Sequence, residues 1–320
     1  MHIAVTPWRD TTDGQVNHLT AQAERAEALG FHSFWLPENH FTGPGAIPAP
    51  LLLLSAIAAK TERIRLGTTS YLIPIRNPIQ VAEEVAVLDR LSGGRVILGL
   101  GRGFRSSLFR AFDVPVKEKR EIFDAALTLM KKAWQGEPVT WESGDNDQQM
   151  PMYLSPLPVQ KPYPPLWVAA FGPKAIQQIG RLGLPYLASP VEPFSVLLDN
   201  YTRHAEIVAE HGHPPPEAVP IMRTVFVSKD TNLLQRAKDA LAEQAARMAR
   251  SDTAALRRGA GAAIDEWAII GEPNQVVDII EQHREQLGMT HLVATRLRMP
   301  EVEPGMFEGS LEQMSDLMFD

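Results

Sequence analysis

Short apolar runs alternate with helix-spaced apolar stripes along this chain, and the alternation repeats from one end to the other. Residues 3–5 read as a short strand, and residues 14–29 carry apolar positions at helical spacing up to Gly30, a natural helix terminator. A second strand at 34–36 precedes a helix at 48–60; a third at 64–71 precedes a helix at 78–91 closed by Ser92-Gly93-Gly94; a fourth spans 95–100. After a helix at 117–134, the stretch 136–165 breaks the rhythm with Pro, Gly, Asp and Gln, as an inserted hairpin or cover does. The alternation then resumes: strand 166–170, helix 173–182, strand 186–188, helix 194–211, strand 220–227, helix 232–250, helix 273–287 ending at Gly288, strand 291–294 and a closing helix at 311–319. Eight strands alternating with helices predict a (β/α)8 TIM barrel with an inserted excursion between the fourth helix and the fifth strand.

A doubly wound sheet is the competing architecture, because Gly99-Leu100-Gly101-Arg102-Gly103 superficially resembles a dinucleotide loop. Its glycines fall at alternate positions after the fourth strand, whereas the dinucleotide fingerprint needs G-x-G-x-x-G after the first. A barrel also says where to look, since its ligand groups come from the C-terminal ends of several strands.

Composition narrows the chemistry. The 320 residues are 44% hydrophobic and 22% charged, ordinary for a globular protein. With no cysteine, disulfides, thiolate metal sites and cysteine nucleophiles are excluded. A net charge of −7 disfavours nucleic acid and anionic lipid, which makes a small molecule the expected partner. No signal-like N-terminal run and no stretch of about 18 apolar residues is present, so a cytoplasmic location is expected and a membrane span is not.

Candidate chemistry gathers at predicted strand ends. Glu38, Asn39 and His40 follow the second strand; Glu and His together offer acid/base chemistry near neutral pH, and Asn can orient a carbonyl or ring nitrogen. The plainer reading is that His40 caps a turn while Glu38 pairs with an arginine. Arg102 sits among glycines that let a ligand approach, with a guanidinium suited to phosphate; an exposed loop arginine is the alternative. Gly172, Pro173 and Lys174 open a helix whose free N–H groups form an anion seat. Two such seats suggest one phosphorylated cofactor across a barrel mouth, with Thr68 to Tyr71 meeting its flat part, or serving only strand propensity. His211 and His213 precede three prolines and read as a solvated turn, so no metal is assigned.

The same positions carry a family resemblance. The runs Gly30-Phe31, Trp35 to Phe41, Leu66-Gly67-Thr68, Pro78 through Glu84, Leu88 to Arg95 and Leu98 to Phe104 resemble the bacterial luciferase-like flavin-dependent oxidoreductases, closely over the first 135 residues. The likeness continues more loosely through Gln160-Lys161-Pro162, Trp167 to Ala170 and Ile270 to Pro273. It implies a single domain over residues 1–320, a homodimer or higher homo-oligomer, and reduced FMN or the deazaflavin F420 at the barrel mouth. In the monooxygenase branch, a separate flavin reductase supplies reduced FMN, which with oxygen oxygenates a small organic substrate. The other implied possibilities are F420-dependent hydride transfer without oxygen, and a flavin-binding relative without catalysis. Arg102 matches the family's phosphate-binding arginine and the Gly172 turn its second phosphate segment. Glu38 and Ser70 match positions beside the flavin ring, and the Thr69–Ser70 bond falls where some relatives have a cis peptide. His40, Glu38 and Asn39 are thus the expected catalytic group, and Thr68, Ser70, Arg102, Gly172, Pro173 and Lys174 the expected cofactor contacts. Asn39 stands where bacterial luciferase has its catalytic histidine, Gly172 where many relatives carry a hydroxyl, and Gly101 where luciferase has a cysteine. Residues 136–165, with Trp141, Met150, Met152 and Tyr153, are expected to cover the mouth or to form an ordinary surface hairpin.

Overall fold

The computed structural model describes residues 1–8, 15–139, 151–250, 257, 259–295 and 304–319, in two compact units. One unit comprises residues 1–35 and 167–320, the other residues 36–166.

In the first unit, β1 (His2–Val5) pairs in parallel with β2 (Ser33–Leu36), whose last residue belongs to the second unit. Numbering strands along the chain, β10 (His291–Thr295) flanks β1 on its other side and pairs in turn with β8 (Pro220–Val227), again in parallel. β6 (Leu166–Ala169) pairs with β7 (Tyr186–Leu187), and Ala188 bridges to Ile221 of β8. These strands are nearly continuous apolar runs because both faces are buried, the pattern expected of parallel sheets under helices. Trp35 stacks on Trp167 at 4.9 Å, and its indole N–H donates to Ser33 Oγ at 2.7 Å.

Sequence periodicity misses β9 (Ala268–Gly271), which pairs with the far half of β8. Its run Ala268-Ile269-Ile270-Gly271 is wholly buried but too short to show a period.

In the second unit, β3 (Arg65–Thr68) and the two-residue β4 (Tyr71–Leu72) both pair in parallel with β5 (Val96–Gly101). The predicted strand 64–71 is therefore interrupted at Thr69–Ser70, where the peptide bond is cis. A six-residue helix, Ser106–Ala111, also escapes the sequence reading. The helix Pro78–Leu91 starts where Asn77 accepts the N–H groups of Ile79 and Gln80. Near its end, the fully buried Asp89 accepts Gln160 N at 2.9 Å and Gln160 Nε2 at 2.7 Å, while Arg65 donates to Gln160 Oε1. Arg95 clips the preceding turn, donating to the carbonyls of Ala58, Thr61, Ile64 and Ser92 and to Thr61 Oγ1. These bonds fix where β3 and β5 begin, and through the strands where the candidate groups at their far ends stand.

Candidate active site

Glu38, two residues beyond β2, is the hub of the first cluster. Its carboxylate is fully buried; Oε1 accepts Arg76 Nη1 at 2.8 Å and His40 Nε2 at 2.7 Å, and Oε2 accepts Leu72 N at 3.0 Å. Arg76 is held over the Tyr71 ring at 4.1 Å and also donates to Leu72 O. Burial raises the Tyr71 phenol above its ordinary pKa, aided by neighbouring Glu84 and Glu38 and opposed by Arg76. Buried and accepting three hydrogen bonds, Glu38 serves to hold its neighbours, and its action falls on His40. An imidazole that donates Nε2–H to a carboxylate keeps Nδ1 as a proton acceptor, the base-and-orienter arrangement of general base catalysis. The ring stands edge-on to Phe112 at 5.2 Å. Phe41, Phe104 and Phe112 leave large apolar areas in solvent nearby in the sequence.

The other expected ring-side groups divide. Asn39 Oδ1 accepts Thr42 Oγ1 at 2.8 Å and Ile47 N at 3.0 Å, so that oxygen shapes the loop. Thr68 is buried and donates its hydroxyl to Gly99 O at 2.8 Å, a structural role for that proton. Ser70 lies against Gly101: a Cβ added at Gly101 would stand 2.1 Å from Ser70 Oγ. No side chain, cysteine included, fits at 101 while Ser70 keeps this position.

The second cluster follows β5. Arg102 is half-buried; burial first, then the positive charge of Arg120, push its pKa down to about 10, against the pull of Asp124. Lys119, which donates to Gly103 O at 2.9 Å, is pushed down by burial, then by Arg102 and Arg120. Arg102, Lys119 and Arg120 thus gather positive charge in a partly desolvated turn, an arrangement able to receive a polyanion. Leu72 joins the clusters: its N–H binds Glu38 and its register partner is Gly101, immediately before Arg102.

Sequence reasoning found Arg102 but passed over Arg76, Lys119 and Arg120. Lys119 and Arg120 do carry a signal, being cations in the first turn of helix Lys119–Trp134, where the helix dipole disfavours positive charge.

In the first unit, Gly172 caps helix Pro173–Arg181 with φ +72° and ψ 173°, a conformation essentially restricted to glycine. This accounts for the lack of a hydroxyl residue there. Gly172 O accepts the N–H groups of Ala175 and Ile176, Pro173 has none to offer, and Lys174 is exposed. His211 Nδ1 and His213 Nε2 each donate to a backbone carbonyl, as turn histidines do.

Of the expected cover, Trp141, residues 145–149 and Met150 lie outside the described residues. Met152 and Tyr153 are exposed, Val139 bridges to Met152, and Gln160 anchors the return leg. Among the described residues, no helix is long and apolar enough to cross a membrane.

Comparison with known proteins shows what the chain is similar to. The sequence profile of luciferase-like monooxygenases matches residues 2–291. The oxygenase component of the flavin-dependent trigonelline monooxygenase of Acinetobacter baylyi is 34% identical over 158 residues, covering 47% of this chain and 42% of that one. The chain spans about half the length of the curated relatives it matches. Among solved structures, the oxygenating constituent of Pseudomonas putida 3,6-diketocamphane monooxygenase in complex with FMN superposes with a TM-score of 0.80 at 20% identity, covering 98% of this chain and 96% of that one. An F420-dependent secondary alcohol dehydrogenase superposes with a TM-score of 0.78 at 20% identity, covering 99% and 98%. These likenesses carry the α/β fold.

Proposed function

Because the chain belongs to the luciferase-like monooxygenase family, we propose that it is an FMN-dependent monooxygenase, folded as the family's single (β/α)8 barrel and served by a separate flavin reductase. The carrying observation is the cluster of Arg102, Lys119 and Arg120, in which burial and like charge lower the pKa of Arg102 and of Lys119, as suits a seat for the phosphate of a flavin mononucleotide. The donor set fits the group: a half-buried guanidinium for bidentate contact and an ammonium beside it. When bound, reduced FMN supplies the oxygen-activating chemistry. The protein's own part is to hold phosphate at Arg102, to present the Ser70 edge beside Gly101, and to move a proton at His40 Nδ1, with Glu38 and Arg76 fixing the imidazole. The exposed rings of Phe41, Phe104 and Phe112 favour an apolar organic substrate. The Gly172-Pro173-Lys174 turn is a separate backbone seat for an anion.

The test is anaerobic titration of the purified protein with reduced FMN and with F420, followed by oxygen uptake with a panel of ketones, aldehydes and sulfur compounds. Reduced FMN binding well below millimolar, with substrate-dependent oxygen uptake, is the expected result. Binding weaker than about 1 mM, under roughly 4 kcal/mol, removes the proposal. F420 turnover without oxygen uptake reassigns the chain to hydride transfer.

A further inference from the structure

Parallel register brings together three histidines that the sequence keeps far apart. His2 opens β1, His291 opens β10, and the two are register partners; His32 stands one residue before β2, its N–H on Ile3 O at 2.8 Å. Ring centroids lie 4.1 Å apart for His2 and His32, 4.8 Å for His2 and His291, and 5.3 Å for His32 and His291. One ring nitrogen from each lies within 4.8 Å of the other two. Tetrahedral zinc with three imidazoles spaces the ligand nitrogens by roughly 3.3 Å. Closing the cluster onto an ion therefore takes a swing of about 1.5 Å or less, within reach of side-chain rotation alone.

The neighbours of the rings favour that use. Thr290 Oγ1 lies 2.8 Å from His291 Nδ1, and Ser33 Oγ lies 3.1 Å from His32 Nδ1. Each hydroxyl already accepts one N–H, from Val219 N and Trp35 Nε1 respectively, and keeps a lone pair for an imidazole N–H. An imidazole that donates Nδ1–H to such a hydroxyl offers Nε2 to a metal, the outer-sphere arrangement typical of ligating histidines. His2 is exposed and gives an ion access from solvent, while Trp167 packs against His291 at 4.8 Å.

We propose that His2, His32 and His291 form a three-imidazole site for a divalent transition metal such as Zn²⁺. The site lies at the N-terminal ends of β1 and β10, the strand ends that in barrel folds serve stability rather than chemistry. The metal's task is accordingly to staple the first strand to its neighbours, with the fourth coordination position open to water. This site is independent of the flavin seat, and its test uses no flavin.

Tag-free protein, stripped with chelator and desalted, is titrated with Zn²⁺ by calorimetry and with Co²⁺ by visible absorption. Expected are one Zn²⁺ per chain at micromolar affinity or tighter, a Co²⁺ spectrum of tetrahedral intensity, and a higher melting temperature with Zn²⁺. His2→Gln, His32→Gln and His291→Gln should each weaken binding at least about tenfold and abolish the melting shift; His213→Gln should change neither. His2 is exposed at the start of the chain, so His2→Gln decides the matter even if the other two variants fail to fold. No saturable binding below about 100 µM, or binding unaltered in His2→Gln, overturns the proposal.

Discussion

At the scale of single residues, the structure separates groups that share a loop. Glu38, Asn39 and His40 stand side by side in sequence, yet Glu38 holds Arg76, His40 and Leu72, Asn39 directs its oxygen to the loop, and His40 meets Glu38 through Nε2. Arg102 is cationic in a turn where burial and Arg120 oppose its charge and Asp124 supports it. Arg102→Ala should weaken reduced FMN by about 1.5 to 3 kcal/mol, ten- to a hundredfold, while the flavin-free melting temperature stays within a degree or two; a fluorescence titration beside a thermal melt reads both. Gly101→Ala should behave in the opposite way. Its new methyl would meet Ser70 Oγ at 2.1 Å and Leu72 Cδ2 at 3.1 Å. A loss of about 1 to 3 kcal/mol in urea denaturation is expected, partly recovered in the double variant with Ser70→Gly.

At the scale of elements, the run Leu88 to Arg95, one of the most family-like in the sequence, is a joint rather than a site. Asp89 and Arg95 spend their hydrogen bonds on Gln160 and on four backbone carbonyls, tying the end of a helix to the leg that returns toward β6. Asp89→Ala strands the two Gln160 N–H donors in a buried place and should destabilise the fold by roughly 3 kcal/mol, measurable by chemical denaturation, with flavin affinity per folded molecule unchanged. The element order was legible because helix stripes and apolar strands differ in period. β9 was not, since four apolar residues carry no period; the break at Thr69–Ser70 was masked in the strand pattern but marked by the family resemblance, which put a cis peptide of some relatives at that bond. Arg102 was legible from its glycines. Arg76, Lys119 and Arg120 were not, because their relation to Glu38 and Arg102 exists only once β4 and β5 are paired. The histidine cluster left no sequence mark for the same reason.

At the scale of the whole molecule, two buried histidines make stability depend on acid. His283 donates Nδ1–H to Ile279 O and accepts Arg223 Nε at 3.4 Å, and burial, then the charge of Arg223, push its pKa down to about 4. His204 is lowered by burial as well. The unfolded chain takes up these protons near pH 6.5 and the folded one does not, so stability is full above that pH and declines as pH falls toward 4, by up to roughly 3 kcal/mol from His283. Denaturation midpoints measured between pH 7 and 4.5 should fall along this slope, and His283→Gln should flatten it without abolishing it. The cationic turn after β5 has a consequence in time as well as in affinity. On a chain of net charge −7, the phosphorylated cofactor proposed above is repelled by the molecule on average and drawn to the place where Arg102, Lys119 and Arg120 concentrate the opposite sign. Such focusing quickens productive encounters and fades within a Debye length, about 8 Å at physiological salt. On the proposed function, ionic strength thereby becomes a throttle on how fast a reductase would hand its flavin over.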